Sequence, residues 1–231
     1  MESILDFVEQ VFIILFMHSL HNHTFLSDGC LVFSEVVNYH IEKNCKTIVF
    51  SDHADFGNYE FVIDCTLKFV ESTKNAYDIS LIPGVEITHV KPELYHDAVK
   101  LARDKGAEIV IGHGESIVEK VPPGTNRSAI MAGVDILAHP GLITEDDVRL
   151  ASENSVYLEL TSKSGHCYTN GHVASLARSL NANLVHGFDS HGPNDILDKK
   201  FMDRILLGAG LSREEITQIY HNADDLIRRK L

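Results

Sequence analysis

Two tripeptides are built to chelate. His21-Asn22-His23 sets two imidazoles two residues apart, and Asp189-Ser190-His191 sets a carboxylate and an imidazole at the same spacing. Alternate side chains of an extended strand share a side, so each tripeptide presents two donors to one point. Asp28 follows the first pair in a polar turn, LSDG. His53, Glu86, His113 and His139 each fall within or just after a short apolar run. Nitrogen and oxygen donors without thiolate suit Zn, Mn or Fe. Nine such donors exceed the needs of one ion and suffice for two or three divalent ions if a carboxylate bridges.

The elements that must position these residues are readable from periodicity. Apolar runs at 12–20, 47–50, 81–87, 108–111, 134–137, 156–160 and 183–185 read as strands buried on both faces. Helical patterns separate them. Residues 34–44 carry an apolar face, and residues 92–105 open with proline and stop at Gly106. Thr144 with Asp147, and Ser212 with Glu215, resemble capping boxes opening helices at 144–154 and 212–230. Alternating strands and helices predict an α/β chain, a distorted TIM-like (β/α)7 barrel, with an open doubly wound sheet as the competing topology. In such barrels the C-terminal ends of the strands build the active site, and that is the rim at which the donors arrive.

Composition narrows the function classes. The 231 residues suit one domain, 17–231, with residues 1–16 as an N-terminal appendage that Met17 would exclude if it is the native start. The apolar run 11–17 is too short for a membrane helix and lacks the flanks of a signal peptide, so a cytoplasmic protein with no membrane partner is expected. A net charge of −13 disfavours long nucleic acid. Cys30, Cys45, Cys65 and Cys167 form no CxxC pair and read as packing thiols. Of 14 histidines, His40, His96 and His221 read as surface or helix-face residues, and His18 and His186 as structural ones. Oligomeric state is not readable.

The segments HSLHNHTFLSDG, SDHAD, GVEITHV, GHGE, LAHPG and FDSHGPND, in this order, resemble the PHP (polymerase and histidinol phosphatase) superfamily. PGTNR, GHCYTNGHV and GAGLS are similar to stand-alone archaeal-type members described as histidinol-phosphatase-like. The resemblance implies a distorted (β/α)7 barrel, a trinuclear metal centre and hydrolysis of phosphate esters. It implies one ion on His21, His23, Glu86 and Asp189, a second sharing Glu86 with His113 and His139, and a third on Asp28, His53 and His191. Ser19 stands where the family usually has aspartate, a position expected to orient a ligand.

The expected reaction is hydrolysis of a small phosphomonoester by a metal-activated water. Arg127, after PPGTN, and Lys163, in TSKSGH, are candidate phosphate contacts. His191 and His166 are candidate general acids, although a ligand histidine is poorly suited to that second role. Asn170 and His172 share the loop of His166. Glu115 is a candidate outer carboxylate, and Leu26, Phe56, Asn58, Tyr59 and Tyr168 are candidate pocket walls. The alternatives are a phosphodiesterase or nucleotide phosphatase of the same superfamily, and a non-catalytic metal-binding module.

Overall fold

The computed structural model describes residues 17–230; the proposed appendage and the front of the first expected strand lie outside them. The strands are β1 (Met17–Ser19), β2 (Cys45–Phe50), β3 (His53–Ala54), β4 (Ser80–Ile87), β5 (Ile109–His113), β6 (Ile136–Ala138), β7 (Tyr157–Thr161) and β8 (Leu184–Gly187). The helices are α1 (Phe33–Glu42), α2 (Tyr59–Ser72), α3 (Tyr95–Lys105), α4 (Thr125–Ala132), α5 (Glu145–Glu153), α6 (Asn170–Leu180), α7 (Lys199–Gly208) and α8 (Arg213–Arg228). All strand pairs are parallel, in the order β1-β2-β4-β5-β6-β7-β8, with the two-residue β3 pairing β4. The seven expected strands are present, and β3 is an addition. It follows the polar pair Ser51-Asp52, which carries no strand signal. Among the described residues no helix is long and apolar enough to cross a membrane.

The sheet curls into a nearly closed barrel. Its inside is filled by Leu20, Val49, Ile82, Ile109, Ile111, Ile136, Tyr157 and Val185, and Ala223, Leu226 and Ile227 of α8 join the same cluster. A second, larger cluster lies between the strands and the surrounding helices. A continuously apolar strand is what two buried faces require. Each fully buried Ile or Leu contributes about 1.5–3 kcal/mol relative to exposure. α8 begins at a capping box: Ser212 Oγ accepts from the Glu215 N–H (3.2 Å), and Glu215 Oε2 accepts from the Ser212 N–H (2.7 Å). At α5, Thr144 accepts from the Asp147 N–H, as the sequence predicts.

The seam between the first and last strands is closed just beyond their ends. Asn22 and Ser190 form an isolated parallel bridge, and the His23 N–H donates to the Ser190 carbonyl (2.8 Å). Ser190 Oγ donates to Asn22 Oδ1 (2.8 Å), while Asn22 Nδ2 donates to the carbonyls of Ser19 (3.2 Å) and Val49 (3.0 Å). The middle residues of the two chelating tripeptides therefore stitch the barrel. Ser19 Oγ lies 2.8 Å from both Asn22 Oδ1 and His40 Nε2. His40, expected at the surface or on a helix face, is wholly buried on the inner face of α1, where Nδ1 donates to the Val36 carbonyl.

His186, on β8, is wholly buried beside the Tyr220 ring, and neither ring nitrogen has a partner. Burial lowers its pKa to about 3, with the nearby charges of His18 and Lys199 adding to the effect, and burial lowers that of His40 to about 4. Both folded values lie below the free value near 6.5. Their stabilising effect is therefore complete above that pH and is lost as pH falls towards 4.

Two outcomes are expected. Asn22→Ala leaves Ser190 Oγ and the Val49 carbonyl without their partner and lowers stability by about 2–4 kcal/mol, visible as a thermal midpoint about 10 °C lower. His186→Phe breaks no hydrogen bond. Its urea stability, measured against wild type, improves by about 1 kcal/mol on going from pH 7.5 to 5.5; an unchanged difference would show that His186 does not titrate in this way.

Candidate metal centre

Period-two alternation carries the apolar filling of the barrel upward into a polar mouth. On β5 the inward series is Ile109, Ile111, His113, and on β4 it is Ile82, Gly84, Glu86. His139 follows β6, Asp189 and His191 follow β8, and His53 opens β3. His139 and Asp189 hold positive φ (26° and 51°), a backbone cost that concentrates at functional positions.

The nine donors predicted from sequence come together. His21 Nε2 and His23 Nε2 face each other at 3.0 Å. Glu86 Oε2 lies 3.5 and 3.6 Å from them, and Asp189 Oδ1 3.7 and 3.1 Å. On the other side of Glu86, Oε1 is 3.6 Å from His139 Nε2, and His113 completes a second group. Asp28 lies 3.5 Å from His53 Nε2 and 3.2 Å from His191 Nε2 in a third group, which His23 Nδ1 approaches at 4.0 Å.

These residues fit cations. Glu86 Oε1, His23 Nδ1 and His139 Nδ1 are buried and have no hydrogen-bond partner, and Glu86 Oε2 has only imidazole neighbours, His53 Nδ1 being 2.7 Å away. A buried carboxylate costs several kcal/mol unless a positive charge answers it. Without such an ion the imidazoles answer it. Burial opposes ionisation of Glu86, but His21, His53 and His113 hold its carboxyl well below the usual range. Burial likewise disfavours the charged form of His53, yet Glu86 and Asp28 raise it to about 10. Metal uptake at such a site must expel those protons.

A second set of groups aims the donors. Glu159 on β7 is buried; its Oε1 accepts from His21 Nδ1 (2.8 Å) and its Oε2 from the His139 N–H (2.9 Å). It reaches them through space left by Gly187, whose absent Cβ would stand 1.7 Å from Glu159 Oε1. Sequence reasoning missed Glu159, although a lone carboxylate inside an apolar strand run was the available signal. Asp52 accepts from the Thr24 N–H (2.7 Å), Thr24 Oγ1 and Ser27 Oγ, and so fixes the loop that carries Asp28. Ser19 sits beside Asn22 and His40, not among the donors.

The remaining candidates divide. Lys163 Nζ lies 2.9 Å from His191 Nδ1 and 3.1 Å from Asp195 Oδ2, at the edge of the third group. His166 is buried against His139 with ring centroids 4.3 Å apart, and its Nδ1 has no partner. Arg127, half exposed on α4, donates to Asp147 of α5 at 2.9 Å. Glu115 Oε1 accepts from the N–H groups of Gly124 and Asn126, clamping the start of α4. His172 donates to the Ile143 carbonyl (2.7 Å), and Asn170 pairs with the backbone of Thr161. Asn58 holds its own loop through the His53 carbonyl, while Phe56 and Tyr168 are exposed. Leu26 and Tyr59 pack against the main core.

Glu119, from the loop after β5, also escaped the sequence reading. Its carboxylate lies 2.9 Å from His113 Nε2, 3.4 Å from His166 Nε2 and 3.5 Å from His89 Nε2. Hydrogen bonds from His113 and His166 hold it well below the ordinary glutamate range. Nothing local in SIVEKV marks it, because its partners are the end of β5 and two other loops.

Glu159→Gln keeps the shape of the side chain but removes the charge behind His21. It should weaken metal affinity about 10- to 100-fold, measured by chelator competition, with the fold intact by circular dichroism.

A family model described as "PHP domain" matches residues 19–115. An uncharacterized protein of Methanocaldococcus jannaschii is 41% identical over 212 residues, covering 90% of this chain and 97% of that protein. Two solved structures share the fold. One is a chain from the cryo-EM structure of archaeal ribonuclease P with mature tRNA, with a TM-score of 0.59, 22% identity, and 90% and 93% of the two chains covered. The other is a Listeria monocytogenes protein assigned as a histidinol phosphatase, with a TM-score of 0.57, 13% identity, and 80% and 99% covered.

Proposed function

The chain belongs to the PHP-domain family, and from that membership and the donor cluster we propose that it is a metal-dependent phosphoesterase acting on a small phosphomonoester. The observation that carries the reading is Glu86, wholly buried with imidazoles as its neighbours: His21, His53, His113 and His139, from four separate stretches of chain.

His21, His23, Glu86 and Asp189 would hold one ion, Glu86 with His113 and His139 a second, and Asp28, His53 and His191 a third. Bound divalent ions would supply Lewis acidity, neutralising phosphate oxygens and lowering the pKa of a coordinated water to about 7. The chain's own residues do the rest. Glu159 keeps a proton on His21 Nδ1, so that Nε2 offers its lone pair to the site. Lys163, at the edge of the third group, meets a phosphate oxygen by releasing Asp195. His166 is not a metal donor in this scheme, and its Nε2, which faces Glu119 at the mouth (3.4 Å), would hold the proton that the leaving oxygen needs. That role suits His166 better than His191, which would be bound to metal. Arg127 would reach phosphate only by exchanging Asp147 for it. A net charge of −13 favours a small ester over a polynucleotide.

The test is purified protein reloaded with Mn, Zn or Fe and offered phosphomonoesters and phosphodiesters. The expected result is phosphate release from monoesters, lowered more than about a hundredfold in Glu86→Gln, a larger loss than for a group that only orients a ligand. Metal uptake with no turnover of any ester would favour the accessory-module reading. Faster diester turnover would move the assignment to a phosphodiesterase.

A further inference from the structure

Glu119 differs from every other carboxylate at the mouth. Glu86 and Asp189 are buried on strand ends, and Asp28 is braced by the Asp52-bound loop. Glu119 stands on a loop whose root is rigid and whose tip is open. At the root, Glu115 clamps Gly124 and Asn126. The backbone there is close-packed: a Cβ on Gly141 would stand 1.9 Å from the Glu115 carbonyl oxygen, and one on Gly114 would stand 2.2 Å from that of Ala138. At the tip, Ile117 and Val118 are 52% and 48% exposed, and Glu119 is 36% exposed. Val118 rests on Gly165, beside His166.

The carboxylate itself faces three imidazoles, and none of its ion pairs is with lysine or arginine. His113 Nδ1 donates to the Gly114 carbonyl (3.1 Å), so Nε2, which donates to Glu119 across 2.9 Å, is the nitrogen that would offer a lone pair to an ion once its proton is lost. A donor oxygen at this distance from a donor nitrogen has the separation of two ligands on one ion, since bonds of about 2.0–2.2 Å at a near-right angle place them about 3 Å apart. His113 is also one of the three residues of the Glu86–His113–His139 group.

We propose that Glu119 is an exchangeable ligand: its carboxylate fills the position beside His113 that an anionic substrate oxygen takes, and it leaves with the 116–123 loop when substrate enters. This rests on the metal-centre reading and extends it to the way the site admits substrate. The exchange is balanced, one carboxylate oxygen leaving as one phosphate oxygen arrives, with no change of oxidation state. While Glu119 is in place the mouth is closed to water and anions on the His113 side. Once displaced, the carboxylate frees His166 Nε2 from its acidic neighbour.

The experiment compares wild type, Glu119→Gln, Glu119→Ala and the exposed neighbour Lys120→Ala. Each is loaded with Mn, and metal affinity and inorganic-phosphate affinity are read by calorimetry. Both Glu119 variants should keep the wild-type metal stoichiometry and bind the weakest ion about tenfold less tightly. They should bind inorganic phosphate about tenfold more tightly, because no resident carboxylate must first be displaced. Lys120→Ala should match wild type in both. Unchanged or weaker phosphate binding in both Glu119 variants, with metal uptake normal, overturns the exchange but leaves the metal centre standing. Wild type that takes up no metal overturns both.

Discussion

A wholly buried, ionised carboxylate is among the most expensive things a protein can contain, and this barrel is arranged around one. Both oxygens of Glu86 lie in the interior, facing imidazoles from β3 and from the segments that follow β1 and β6. Its negative charge sets the state of its surroundings, raising His53 while its own proton is driven off. Asp189 repeats the arrangement on the opposite side of His21 and His23, again with imidazoles holding its carboxyl well below the usual range against the effect of burial. An apolar barrel supplies the low dielectric that makes such charges strongly felt. The cavity that would trap an ion and the cost of leaving it empty have the same origin.

Much of the centre was legible because it obeys strand geometry. A donor separated from its partner by one residue declares a shared face, and apolar runs ending in His or Asp declare one rim. Those two rules pick out seven of the nine donors from local alternation alone; Glu86 was read from a carboxylate inside a strand run, and Asp28 from the polar turn after the first pair. The residues still missed act across the fold. Glu159 was hidden within an apolar run, where alternation alone does not say which face is crowded; only Gly187 on the neighbouring strand makes room for it. Glu119 and His89 meet across loops whose spacing in sequence carries no pattern. His40 looked like an ordinary helix residue because the hydroxyl that receives it, Ser19, lies on another element.

The helices were less legible than the strands for a related reason. Capping residues marked α5 and α8, and Pro92 and Gly106 bracketed α3 closely, with the proline opening a short 3-10 turn before the helix proper. α2 lacked an equally clear start, and the cap of α7, Asp198 accepting from the Phe201 N–H, went unread. The place of α2 is set by packing onto β4, where tertiary burial outweighs local preference.

The stitch made by Asn22 and Ser190 has a consequence for how the molecule comes into being. The first chelating pair is translated near residue 21, but the residues that complete its grip, and that lock the strand carrying it, are not made until about residue 190. During synthesis the early histidines wait with half a cage and an unzipped edge. Closure of the ring therefore belongs to the end of biogenesis, and a cation held by the whole donor set would be captured with it.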